Sequence, residues 1–320
     1  MRRMFVFIVI ALVFLSGCTG DESTTTAPVS SYEGMSTSAY AGSFPSSVYE
    51  GELISMEFLV ENKGDYKVES GDYFLKIKGV NPEVLGLDEN DLKHSSSVDM
   101  DAISSFGDET IVSGQEVITV SDQACYNNDL ENDLTLSVHA KSCYKYGTTA
   151  SASACFVKIS GTGDGICSPS GFKTVTNTIA PVVVTEFAQS PAGENDGNPK
   201  YRFRVKVQNL GLGTVFDKNV DDGLESCDDI SLSDKNVVYI DSIMLDGAEI
   251  DNLIYEGKIA DDSSFRLDST GTGRFSFIIE QESDLEYEGD LDIELSYAYT
   301  QTDVFRTLIN ALPDQPPNCP

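Results

Sequence analysis

The sequence predicts an all-β protein made of two tandem antiparallel β-sandwich domains. Three observations predict it. Short runs of β-branched and aromatic residues alternate with polar ones, Gly, Asn, Asp and Ser separate the runs, and no stretch holds a long 3.6-residue apolar period. The landmarks also occur twice in the same order, which argues for a duplicated unit.

The chain begins with Met1-Arg2-Arg3, an apolar run from Met4 to Leu15, and Leu15-Ser16-Gly17-Cys18. A basic start, a short apolar core and small residues at a cleavage point make a secretory signal, with a run too short to span a bilayer. The four residues ending at Cys18 match the lipobox of lipoprotein signals. Residues 1–17 are therefore read as a cleaved leader and Cys18 as the lipidated new N-terminus. The expected location is the outer face of the cytoplasmic membrane or the cell surface. Residues 18–42, rich in Ser, Thr and Gly, read as a flexible tether.

The first domain is expected over 43–166. Ile54, Met56, Phe58 and Val60 alternate with polar residues and end in Asn62-Lys63-Gly64, where the glycine is expected to supply a positive φ. Further strands are expected at Tyr73 to Val80, Thr110 to Val112 and Glu116 to Val120. From Leu134 to Phe156 the period of two never breaks, which reads as one long strand, bent or shared between sheets. A connection is expected over 167–178.

The second domain, 179–309, repeats the pattern. Tyr201, Phe203, Val205 and Val207 lead into Asn209-Leu210-Gly211, and strands are expected at Val182 to Phe187, Val237 to Leu245 and Arg274 to Glu280. Leu291, Ile293 and Leu295 lead into Tyr297-Ala298-Tyr299, as Leu134 to Ala140 lead into Tyr144-Lys145-Tyr146. The inward parity of these tyrosines assigns them to the core rather than to an aromatic binding strip. Residues 310–320 form a Pro-rich tail.

Besides Cys18 there are Cys125, Cys143, Cys155, Cys167, Cys227 and Cys319. An even set in an exported chain argues for disulfides. On a continuous strand Cys143 and Cys155 would stand about 40 Å apart at ~3.3 Å per residue, so they do not pair with each other. The expected bridges are Cys155–Cys167, Cys227–Cys319 and Cys125–Cys143.

The chain has 52 acidic residues against 21 Lys and Arg, a formal charge of −31. Phosphate-bearing partners would be repelled, so nucleic acid is excluded as a partner. The acidity suits either high salt or weak divalent-cation binding. One loop places oxygen ligands at EF-hand-like spacing, Asp217, Asn219, Asp221 and Asp228, which makes it the Ca²⁺ candidate. Its glycine, Gly223, comes one residue late and Asp228 stands where a bidentate Glu belongs. No other cofactor is expected. His94 and His139 have no partner that sequence points to, and no G-x-S-x-G occurs, so no catalytic residue is assigned.

Phe44-Pro45-Ser46-Ser47-Val48-Tyr49-Glu50-Gly51, the Val60-to-Gly64 strand end, Tyr73 to Gly79, Cys143 to Tyr146 with Cys155, and Ala180-Pro181-Val182-Val183-Val184 together resemble tandem Ig-like (CARDB-like) ectodomains of archaeal surface lipoproteins. The resemblance implies Ig-like sandwiches at a cell surface and no chemistry. The expected function is non-enzymatic: a structural, adhesive or protein-interaction ectodomain with an envelope protein or glycan as partner. The alternative is an accessory solute- or glycan-binding lipoprotein of a transporter or hydrolase system.

Overall fold

The structure, a computed structural model, describes residues 32–106, 109–111, 113–157, 166–220, 223–250, 253–256, 259, 263–281, 286–312 and 317–319. Cys18 and the leader lie outside them. The first repeat contributes β1 (Met35–Ala39), β2 (Ser47–Tyr49), β3 (Leu53–Asn62), β4 (Tyr73–Lys78), β5 (Lys93–Ser95), β6 (Ser104–Phe106), β7 (Glu109–Ile111), β8 (Gln115–Cys125) and β9 (Leu134–Phe156). Two short strands follow, β10 (Gly171–Lys173) and β11 (Val175–Asn177). The second repeat contributes β12 (Val182–Asn195), β13 (Asn198–Asn209), β14 (Thr214–Phe216), β15 (Val237–Leu245), β16 (Ala248–Glu249), β17 (Ile254–Glu256), β18 (Ser264–Arg266), β19 (Thr272–Glu280) and β20 (Tyr287–Asn310). The all-β fold is as the sequence predicts, and the long alternating run is the single strand β9.

β9 and β20 pair antiparallel from Tyr287 opposite Phe156 to Ile309 opposite Leu134. Lys145 and Ala298, which occupy equivalent places in the two repeats, face each other, so the pairing is symmetric about that point. β4 flanks β9 as β15 flanks β20, and the order β16-β15-β20-β9-β4-β5 is the spine of a ten-stranded sheet. A three-stranded sheet, β1-β3-β8, and a five-stranded sheet, β10-β12-β13-β19-β17, pack on its inner face. The repeats thus share one sheet and one continuous apolar core.

The cores are completed reciprocally. Phe156, at the end of β9, packs edge-on against Tyr201 of the second repeat with ring centroids 5.3 Å apart. Phe305, late in β20, packs against Phe58 of the first repeat at 5.2 Å and Phe44 at 5.1 Å. Each long strand begins over its own repeat and ends over the other. Period-two alternation makes this possible, because every inward residue of a straight strand meets whichever small sheet lies above it.

Several expectations are corrected. The tether ends earlier than Gly42: Met35–Ala39 pair with β3, and the Thr37 hydroxyl bonds those of Tyr73 and Ser142 at 2.9 and 2.7 Å. The connection at 167–178 is not a bare linker, since β10 pairs with β12 and β11 with β9. Gly64 and Gly211 do not have positive φ. They are glycines because a Cβ on Gly64 would strike the Tyr146 hydroxyl and one on Gly211 the Tyr299 hydroxyl. The bridges are Cys125–Cys319, Cys143–Cys227 and Cys155–Cys167, so of the expected pairs only Cys155–Cys167 forms. Cys227 reaches the first repeat's long strand, and the tail turns back to β8, beside Glu50, whose carboxylate accepts from the Leu130 and Leu312 amides at 2.8 Å. Three disulfides are the chemistry of an exported protein.

Candidate interaction surfaces and buried polar clusters

The outer face of the ten-stranded sheet is where the acidic loop docks. Phe74 on β4, Cys143 on β9 and Ala298 on β20 point outward, packed with Phe216 of β14 and covered by Leu224 and Cys227 of the loop that follows it. The Cys143–Cys227 bridge fastens this lid, and the Lys141 ammonium donates to the Cys227 carbonyl at 2.7 Å. The next residue, Asp228, accepts from three lysines: Lys76 at 2.5 Å, Lys78 at 2.6 Å and Lys141 at 3.1 Å. Burial opposes its ionisation, but the three ammoniums outweigh that and hold the carboxyl down at about 2.

Two of the calcium candidates are engaged by other groups. Asp228 is spent on lysines. Asp217 accepts from the Asn219 amide at 2.8 Å and the Tyr239 hydroxyl at 2.7 Å. Beside it, the Lys218 ammonium reaches Asp241 at 2.9 Å and lies 5.0 Å over the Tyr239 ring. Asp221 lies outside the described residues. Among the described residues no group of three or more His, Cys, Asp or Glu is placed to hold a metal ion. Another acidic segment, Glu194 to Asn198, is a hairpin turn: Asp196 and Gly197 take φ of 50° and 88°, and Asn195 and Asn198 pair across it.

His94 and His139 are not brought together. They sit on β5 and β9 with β4 between, and His94 bonds the Asp91 carbonyl at 2.7 Å. The three lysines were legible only as polar positions in the alternation of Tyr73 to Lys78 and of Leu134 to Phe156. Nothing in the sequence said that a carboxylate from the other repeat would meet them.

At the seam between repeats lie five buried tyrosines, Tyr73, Tyr144, Tyr146, Tyr297 and Tyr299. Tyr144 and Tyr299 face each other across the β9–β20 pairing with centroids 5.6 Å apart, and Tyr146 and Tyr297 at 6.5 Å. Tyr146 donates to the Asn62 Oδ1 at 3.0 Å, and Tyr299 to the Asn209 Oδ1 at 3.2 Å. Each asparagine also ties its own turn: Asn62 donates to the Tyr66 carbonyl at 2.7 Å and Asn209 to the Gly213 carbonyl at 2.9 Å. Burial pushes Tyr73 and Tyr299 up to about 12 and Tyr144, Tyr146 and Tyr297 upward as well. The hydroxyls therefore stay neutral, and those of Tyr146 and Tyr299 act as structural donors. This is core, as the inward parity indicated.

No family model matches the chain, and no curated protein does. Among solved structures it is similar to the envelope protein VP37 of White Spot Syndrome Virus, at 13% identity over 49% of this chain and 98% of that one, with a TM-score of 0.23. A likeness that slight bears no functional argument.

Proposed function

We propose that the chain is an exported lipoprotein, anchored through Cys18, whose Ig-like repeats form a non-enzymatic interaction module at the envelope. The single observation that supports this most is the reciprocal exchange of β9 and β20. It fuses the repeats into one stiff body, filled at its seam by tyrosines where two separate lobes would leave a cleft. The three bridges and the basic, apolar, Leu-Ser-Gly-Cys start suit a body held outside the cell. Such a module presents surfaces; it does not close around a substrate.

The test is metabolic labelling of the full chain with a clickable fatty-acid analogue, followed by phase partitioning. The wild type should carry the label and enter the detergent phase. Cys18→Ala should lose both. A labelled, membrane-retained Cys18→Ala protein would sink the anchoring.

A further inference from the structure

We propose that the outer face of the five-stranded sheet binds a carboxylate-bearing sugar ring. The inference rests on the reading of an interaction module at the envelope and names what one of its surfaces takes. In a chain with 52 acidic and 21 basic residues, Lys200, Arg202, Arg204 and Lys206 stand in a row on one face of β13. Arg274, opposite Lys206 on β19, joins them. So dense a basic stripe runs against the chain's overall composition.

Three of the five cations are matched. Lys206 meets Glu186 at 2.8 Å, Lys200 meets Glu280 at 3.4 Å, and Arg202 donates through Nη2 to Glu256 at 2.8 Å, with its Nε on the second carboxylate oxygen at 2.5 Å. Arg204 and Arg274 are exposed and, among the described residues, neither has an ion-pair or hydrogen-bond partner. They are diagonal neighbours on one face, since Arg204 opposes Ser276 and Arg274 opposes Lys206, a spacing that long side chains bridge. Glu256 acts on Arg204, and Glu186 and Asp268 on Arg274, only from beyond ion-pair distance, so the two guanidiniums keep donors for a further carboxylate, which arginine takes in a bidentate fork.

The ground beside them suits a sugar. A shallow groove of about 380 Å³ runs over Arg204 and Arg274 and is lined also by Phe172, Ala188, Ser276, Glu256 and the Lys206–Glu186 ion pair. The pairing register sets Phe172, Ala188, Arg204, Ser276 and Glu256 in one row across the sheet. Ala188 leaves low ground between Phe172 and Arg204, and Ser276 leaves it on the far side of Arg204. Phe172, 79% exposed, offers an apolar plate at one end. A pyranose acid has both complements, a C–H face for the phenyl ring and a carboxylate for the arginines.

Other polyanions fit less well. An acidic peptide would add to a sheet edge, but the edge strands β10 and β17 are three residues each, too short to template another strand. Nucleic acid brings a phosphate at every step toward a chain of charge −31. A uronate of one to three rings brings few charges, of which one carboxylate needs only the two arginines, and charges beyond about 8 Å are screened at physiological salt.

The experiment is titration calorimetry of the full chain in detergent micelles with trigalacturonate, galacturonic acid and neutral galactotriose, at low and physiological salt. Trigalacturonate should bind at least tenfold tighter than galactotriose, and more weakly as salt rises. Arg204→Ala, Arg274→Ala and Phe172→Ala should each cost at least tenfold, whereas Leu212→Ala, on an exposed loop, should change nothing. Circular dichroism of each variant separates lost binding from lost fold. A trimer that binds tighter than the monomer assigns the site to a glycan; equal affinities assign it to free sugar acids. Equal binding of galactotriose, or arginine variants that bind like wild type, would overturn the site and leave the interaction-module reading standing. Tighter binding of hexaglutamate than of trigalacturonate would also overturn it, in favour of an acidic protein. Cleavage of the trimer, seen by chromatography, would instead overturn the non-enzymatic reading and leave the site.

Discussion

Tyr146 donates its buried hydroxyl to Asn62 at 3.0 Å, and the same bond recurs between Tyr299 and Asn209 at 3.2 Å. Each joins the middle of a repeat's long strand to the turn that closes an early strand of the same repeat. Removing the hydroxyl leaves a buried asparagine oxygen short of a donor, a loss of about 1–2 kcal/mol. Tyr146→Phe and Tyr299→Phe should each lower stability by that amount in urea titrations. The two hydroxyls share no hydrogen-bond partner, so the double variant should show the sum within about 0.5 kcal/mol unless Tyr144 and Tyr297, which both rings touch, couple them. A strongly sub-additive double would mean that the seam relaxes as one unit.

That duplication was legible in the sequence, because Asn-x-Gly and the paired tyrosines recur at matching places and their partners lie within each repeat. The length of β9 was legible for the same kind of reason: its alternation never breaks. The sharing of one sheet was not. An alternating strand fits an edge and a centre equally, and only the non-local pairing of Lys145 with Ala298 decides between them. The disulfides failed for a related cause. Cys227 crosses to β9 and Cys319 to β8, joining segments whose proximity no local spacing encodes. Outward-facing Phe74 and Cys143 were the available hint that a lid covers that face.

The bridges close loops of very different length, with separations of 194, 84 and 12 residues. Chain entropy alone assigns about 5 kcal/mol to Cys125–Cys319, about 4.5 to Cys143–Cys227 and about 3 to Cys155–Cys167. Paired Cys→Ser variants should fall in that order in denaturant midpoint. The Cys143→Ser/Cys227→Ser variant should also expose the lid, detected as proteolysis between 217 and 229 while the rest of the chain stays resistant. An uncut lid would show that the three lysines on Asp228 hold it without the bridge.

Two aspartates should respond to acid with opposite signs. Asp228 ionises in the fold at about 2, below the ordinary carboxylate range, so its stabilisation is complete above about pH 4 and lost as pH falls toward 2. Asp228→Asn should cost about 2 kcal/mol at pH 7, with the gap to wild type closing below pH 4. Asp303 faces inward with a buried Oδ2 that has no partner, and burial raises its carboxyl. Its ionised form therefore destabilises the fold once pH exceeds the unfolded value. Asp303→Asn should match wild type near pH 3 and exceed it at pH 7. Urea midpoints across pH 3 to 7 check both, and parallel curves for either variant would contradict its assigned environment.

Reciprocal completion of the cores sets how the chain unfolds. The first repeat's Phe58 needs Phe305 from β20, and the second repeat's Tyr201 needs Phe156 from β9. Neither repeat encloses its core without a strand end supplied by the other, so neither has a low-energy state in which it alone is folded. Calorimetry of the whole chain should give one transition, with calorimetric and van't Hoff enthalpies equal. Ala298→Pro, at the symmetric point of the β9–β20 pairing, removes a ladder donor from a central strand. It should lower the whole transition by about 3 kcal/mol or more rather than split it. Two resolved transitions, in wild type or in Ala298→Pro, would show that the repeats are independent domains whose long strands merely touch.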